Sequence, residues 1–150
     1  MENLFNVSEV KLTYKTKQNA SERLKVFDSN SVYKTLLNCY DSDTIEYKES
    51  FKLLLLNKGN KVLGVMNVSE GGISDTVVDI RLIMQAALLG NASNIVISHN
   101  HPSGEIYPSR NDDYATNRIK EACRLMDITL YDHIIVTSES YYSYADEGRL

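Results

Sequence analysis

The spacing of apolar residues changes several times along this chain, and each change marks an element. FKLLLLN (51–57) and KVLGVMNV (61–68) are strand-like runs joined by a short KGN link, the pattern of a hairpin. TVVDIRLIMQAALLG (76–90) switches to helical spacing. Ile80, Ile83, Ala87 and Gly90 share one face there, and Gly90 suits the C-terminal end. NIVISHN (94–100) is almost continuously apolar, as expected of a central strand covered on both faces. SRNDDYATNRIKEACRLM (109–126) predicts a second helix, its buried stripe made by Ala115, Ile119, Ala122, Cys123 and Met126. ITLYDHIIVT (128–137) predicts a strand, and YYSYADEGRL (141–150) forms a tyrosine-rich tail. Ahead of the hairpin, SEVKLTY (8–14) alternates Val10, Leu12 and Tyr14 with polar neighbours and reads as a half-exposed strand. KTKQNASERLKV (15–26) is polar and reads as loop. SNSVYKTLLNCY (29–40) predicts a capped helix with Val32, Leu36 and Cys39 on its apolar face. EGGISD (70–75) reads as a glycine-rich turn ending in capping residues.

Strands alternating with amphipathic helices define an α/β fold built on a layered sheet. The early hairpin has to be antiparallel, so a mixed sheet is expected. The acidic connector DSDTIEYKES (41–50) is the expected seam, with an N-terminal extension at 1–45 and the main unit at 46–150.

Composition narrows the class. A chain of 150 residues can bury one proper core, and 43% hydrophobic with 24% charged residues is ordinary for a globular protein. The net charge is -4 and no Lys/Arg run stands out, so binding to duplex DNA through its phosphates is expected to be weak at physiological salt. Cys39 and Cys123 form no metal-binding spacing and are expected to be free thiols of a reducing compartment. MENLFNVSEV has neither a basic leader nor a long apolar run, and LLLL at 53–56 is too short to span a bilayer. A cytoplasmic protein without a membrane partner is expected.

The candidate chemistry lies in ISHNHPSGEIYPSRND (97–112). Side chains i and i+2 of a strand point the same way, so His99 and His101 project from one face and can share a cation. Pro102 ends the strand. Ser109 and Asp112 have two readings. They suit the N-cap and N3 positions of the following helix. Alternatively, the proline-stiffened loop brings Asp112 back to the strand end, where two imidazoles and a carboxylate make a catalytic zinc set with the fourth position open.

HNHPSG followed by PSRND resembles the JAMM signature: His-x-His, seven residues, Ser, two residues, Asp. Together with the LLLLN strand, the GGISDTVVD turn, the DHIIV strand and the YYSYADEGRL tail, it resembles the RadC branch of the JAB/MPN domain superfamily over roughly residues 46–150. The helix-hairpin-helix region of longer RadC proteins is not matched by the short extension here, which weakens any inherited claim about DNA. The resemblance implies a cytidine-deaminase-like α/β/α sandwich and zinc-dependent peptide or isopeptide hydrolysis, with one zinc per chain. It implies His99, His101 and Asp112 as zinc ligands, and Ser109 as a group holding the oxyanion or the attacking water. It also implies a general-base glutamate from an earlier strand. Glu49, two residues before Phe51, matches that place best, and Glu46 is its nearest competitor.

The leading expectation is therefore a zinc metallohydrolase acting on a peptide or protein substrate. One alternative is a DNA-metabolism accessory factor with structural or regulatory zinc, which the acidic balance disfavours. The other is a silent interaction module, which the intact His99, His101, Ser109, Asp112 set disfavours. His133 has two readings, as a structural histidine and as a group behind the site. Gly71 and Gly72 suit a tight turn or a close backbone approach, Glu105 a solvated loop position or a substrate entrance. Tyr141, Tyr142 and Tyr144 suit packing of the tail or stacking on a ligand.

Overall fold

The structure is a computed structural model that describes residues 8–11, 15–71 and 77–150. Among the described residues the elements are α1 (Ser29–Leu37), β1 (Ser50–Leu56), β2 (Val62–Glu70), α2 (Ile80–Leu89), β3 (Asn94–Asn100), α3 (Arg110–Leu125), β4 (Thr129–Val136) and β5 (Tyr141–Ser143), with a 3-10 turn at Ala20–Glu22. The strands form one sheet in the order β2-β1-β3-β4-β5. β1 runs antiparallel to both β2 and β3, β3 and β4 are parallel, and β5 is antiparallel to β4. The expected mixed sheet is present.

Alternation along the central strands builds two cores. Phe51, Leu53 and Leu55 of β1 and Ile95 and Ile97 of β3 pack with Ile83 and Ala87 of α2 and Ile119 and Cys123 of α3. Leu54, Leu56, Val96, Ile134 and Val136 face the other way and pack with Val26, Val32, Leu36 and Ile45. The sheet is thus sandwiched, with α1 on one face and α2 and α3 on the other. The α1 helix of the predicted N-terminal extension and the connector residue Ile45 pack into the same core as the main unit. Asp28 caps α1 through a capping box with Ser31.

α2 starts at an Asp79 cap, whose side chain accepts from Arg81 N at 2.9 Å. It ends at Gly90, where a Cβ would come within 2.6 Å of Leu55 Cδ1 and 2.9 Å of the Ala86 carbonyl oxygen, so a side chain there would force the helix end or Leu55 to shift. Three expectations change. Met126 is 48% exposed, because α3 ends at Leu125 and the chain turns through Asp127 at a φ of 53°. Thr116 takes a fully interior place on α3 beside Ile119 and Cys123. Cys39 lies beyond the end of α1 and is only half-buried, its thiol directed to the Thr35 carbonyl. The predicted strand at 8–14 falls partly outside the described residues, and 8–11 show no strand. The EGGISD turn falls almost wholly outside them. Among the described residues no helix is long and apolar enough to cross a membrane.

Candidate metal centre

β3 delivers the histidines. His99 points with Ile95 and Ile97 toward the α2 and α3 layer and is buried. His101 follows directly after the strand and is half-buried. The chain then turns back: Gly104 N donates to the His101 carbonyl at 3.0 Å, with Gly104 in the left-handed region at a φ of 85°. This turn sets the Glu105 carbonyl 2.6 Å from His101 Nδ1. A carbonyl only accepts, so Nδ1 donates there, and the neutral ring presents a lone pair at Nε2.

α3 delivers the carboxylate. The Ser109 side chain accepts from Asp112 N at 3.1 Å, and Asp112 Oδ2 accepts from Ser109 N at 2.7 Å, a complete capping box. The same carboxylate reaches both imidazoles. Asp112 Oδ1 lies 3.1 Å from His99 Nε2 and Oδ2 lies 3.3 Å from His101 Nε2, while the two Nε2 atoms are 2.9 Å apart. The helix cap read from the sequence is present, and the same side chain also faces both imidazoles. Burial works against the Asp112 anion, yet its bonds to His101 and His99 prevail and hold its pKa well below the usual carboxylate range. Burial likewise opposes a charged His101, but Asp112 and the Glu105 carbonyl outweigh it and raise its pKa. His99, His101 and Asp112 could together hold a metal ion, their ligand atoms lying within 4.8 Å of one another.

Glu49 approaches from β1. The antiparallel register pairs Phe51 with His99. Glu49 lies two residues before Phe51, directly ahead of β1, and shares a pocket wall with His101. Glu49 is 7% exposed and lines a small cavity of about 30 Å³ with His99 and Asp112. Its carbonyl accepts from Gly71 N at 2.9 Å, next to the Ser50–Glu70 pair of β1 and β2. Gly72 falls outside the described residues. Glu46 lies on the rim, where its carboxylate accepts from Ser138 Oγ at 2.7 Å. Both glutamates line a pocket of about 570 Å³ with His101, Glu105, Tyr107, Ser109 and Asp112.

Three residues at this site escaped the sequence reading. Asn100, between the two histidines, is fully buried. Its Oδ1 accepts from Ser50 N at 2.8 Å, and its Nδ2 donates to the carbonyls of Ile45 (2.7 Å) and Lys48 (2.9 Å). It thereby pins the connector that carries Glu46 and Glu49. Its odd-even position in β3, facing away from the histidines, was the available signal. Thr116 bonds His133, and Tyr107 supplies an aromatic wall of the pocket. His133 stands behind His99, with its Nε2 2.8 Å from His99 Nδ1. The tail tyrosines pack: Tyr144 stacks on His133 at 4.7 Å and Tyr141 on Tyr33 at 4.5 Å. Glu105 is exposed, and its contribution to His101 is its carbonyl.

The profile of the family described as the RadC-like JAB domain matches residues 26–149. The chain belongs to that family. This RadC-like domain is 44% identical over 100 residues to a UPF0758 protein of Flavobacterium johnsoniae, covering 67% of this chain and 44% of that protein. It is 39% identical over 134 residues to a UPF0758 protein of Porphyromonas gingivalis, covering 89% of this chain and 58% of that one. A UPF0758 protein of Streptococcus sanguinis is 41% identical over 100 residues, 67% of this chain and 44% of its own length. The chain spans about half the length of the curated relatives it matches. The RadC-like match begins at Val26, so α1 and the connector lie inside the family region.

Proposed function

We propose that this RadC-like JAB domain is a zinc-dependent hydrolase of a peptide or isopeptide amide bond. The observation that carries the reading is the convergence of His99 Nε2, His101 Nε2 and the Asp112 carboxylate within 3.3 Å at the wall of an open pocket. Two neutral nitrogens and one carboxylate oxygen are the donor set of catalytic rather than structural zinc. Neither cysteine completes a closed site: Cys39 is turned to Thr35 and Cys123 is in the core beside α2. Zinc held by these residues would polarise the scissile carbonyl and acidify the attacking water.

The chain's own groups supply the rest. Glu49 is the general base, taking the proton of the attacking water and passing it to the departing amine. The Ser109 hydroxyl accepts from Asp112 N, which leaves its own proton free to donate to the oxygen that gains charge, a contact typically worth about 3 kcal/mol. The 570 Å³ pocket is roomy enough for an extended peptide segment. Its Glu46, Glu49 and Glu105 disfavour a phosphate backbone there, which counts against the DNA-accessory alternative at this pocket.

Elemental analysis of the purified, never-chelated protein should find about one zinc per chain. A protein that carries no divalent metal and takes up none would remove the reading. Glu49→Gln should keep the metal and the fold while hydrolysis falls by about 10²-fold or more. Glu46→Gln should change little, since that carboxylate is engaged by Ser138. Full activity in Glu49→Gln would refute the base assignment, and loss of zinc would make Glu49 a ligand.

A further inference from the structure

A run of hydrogen bonds leads inward from the candidate metal centre. His99 Nδ1 lies 2.8 Å from His133 Nε2. His133 Nδ1 lies 2.6 Å from Thr116 Oγ1, and Thr116 Oγ1 donates to the Asp112 carbonyl at 2.6 Å. All three side chains are at most 1% exposed.

The direction of this run follows from counting protons. The Asp112 carbonyl can only accept, so the single hydroxyl proton of Thr116 is spent on it. Thr116 Oγ1 is then an acceptor toward His133, and His133 Nδ1 has to carry a proton. His133 is 1% exposed and packs against the Tyr144 ring at 4.7 Å and the Phe51 ring at 6.1 Å, where a charged ring is costly to bury and the imidazole stays neutral. A neutral imidazole protonated at Nδ1 has a bare Nε2. That nitrogen accepts, so His99 Nδ1 donates and His99 Nε2 is left with its lone pair.

We infer that His133 and Thr116 are positioning residues that fix His99 in its Nδ1–H tautomer and so aim the Nε2 lone pair at the metal position. His101 is set in the same tautomer by a different means, the Glu105 carbonyl. The run closes on itself, because Asp112 ends it with its backbone carbonyl and flanks His99 Nε2 with its carboxylate. A threonine bonded to the carbonyl four residues back is a common helix feature. Its second bond, to a buried histidine, is what gives it a role here.

The inference rests on the metal-site reading for its purpose, but its geometry is testable without metal. Long-range proton–nitrogen NMR on the chelated wild-type protein should show His99 and His133 each as a single Nδ1–H tautomer. Thr116→Val removes the hydroxyl at nearly constant shape. It should convert His133 and His99 to mixed or Nε2–H tautomers and weaken zinc binding by about 10-fold, the usual scale for loss of such a supporting contact. Thr116→Ser should restore both. A wild-type His99 protonated at Nε2 would overturn the inference, whatever the variants do. So would a folded Thr116→Val protein that keeps a single Nδ1–H tautomer and binds zinc within about twofold of wild type. If the wild-type tautomer is as stated but the protein takes up no zinc, the hydrogen-bond run stands and the hydrolase reading fails.

Discussion

The inner and outer walls of the site hold their histidines by different means. On the inner wall, His99 is 1% exposed and is held by side chains of β4 and α3, in a layer that also contains Phe51 and Tyr144. On the outer wall, His101 is half-buried and is held by one carbonyl of a loop whose turn depends on Gly104. Asp112 spans the two walls, with Oδ1 toward His99 and Oδ2 toward His101 and Ser109 N. The inner wall is therefore part of the core, while the outer wall rests on loop geometry. A substitution inside should cost stability and metal together, and one outside should cost metal alone.

The largest expected contrast is between His99→Ala and His101→Ala. Both should empty the metal site. In the metal-free proteins, urea unfolding should show His99→Ala destabilised by about 2–4 kcal/mol, through a buried cavity and an unpaired nitrogen on His133. His101→Ala should lose less than about 1 kcal/mol. Equal losses would erase the distinction between the walls.

Acidity should reveal the outer wall next. The His101 pKa is raised above its ordinary 6.5. In the metal-free protein, the stability this confers is complete below the unfolded value and is lost as pH rises through the raised folded value. Zinc held by His101 would run the other way, because it needs the neutral ring. Zinc titrations should show affinity declining as pH falls through the raised value, by roughly tenfold per pH unit for each proton displaced. A decline that starts only below 6.5 would contradict the shift at His101. The smallest effect should come from Gly104→Ala. Forcing a side chain to a φ of 85° costs about 1 kcal/mol and loosens the Glu105 carbonyl. Zinc affinity should drop a few-fold on calorimetry, while the His99 tautomer is unchanged.

Much of the fold was legible because period and burial agree. The LLLL run alternates between two cores, and NIVISHN lies centrally with both faces covered, as its unbroken apolarity requires. The end of α3 was less legible. Met126 fits the helical stripe, but the left-handed turn at Asp127 stops the helix and hands its interior place to Ile128. At the site, the His-x-His spacing could place two imidazoles together, since strand alternation is local. It could not decide between cap and ligand for Asp112, because one carboxylate has oxygens for both tasks. The partners of His133 and Asn100 were beyond reach for another reason. They are set by pairings distant in sequence, for His133 through the parallel β3–β4 register with its irregularity at Ile95/Val96, and for Asn100 through the approach of the connector to β3.

That division of near and far partners has a thermodynamic consequence. His99, His101 and Asp112 all come from the continuous β3–loop–α3 segment, whereas Glu49 and His133 reach the site only once β1 and β4 flank β3. A chain that has not yet closed its sheet already carries all three electron-pair donors within one short stretch. Whatever affinity that stretch has for a cation subtracts from the stabilisation the folded site gains by binding it. For a bound cation, any surplus favouring the native state would come from the distant strands that bury His99 and place His133 behind it.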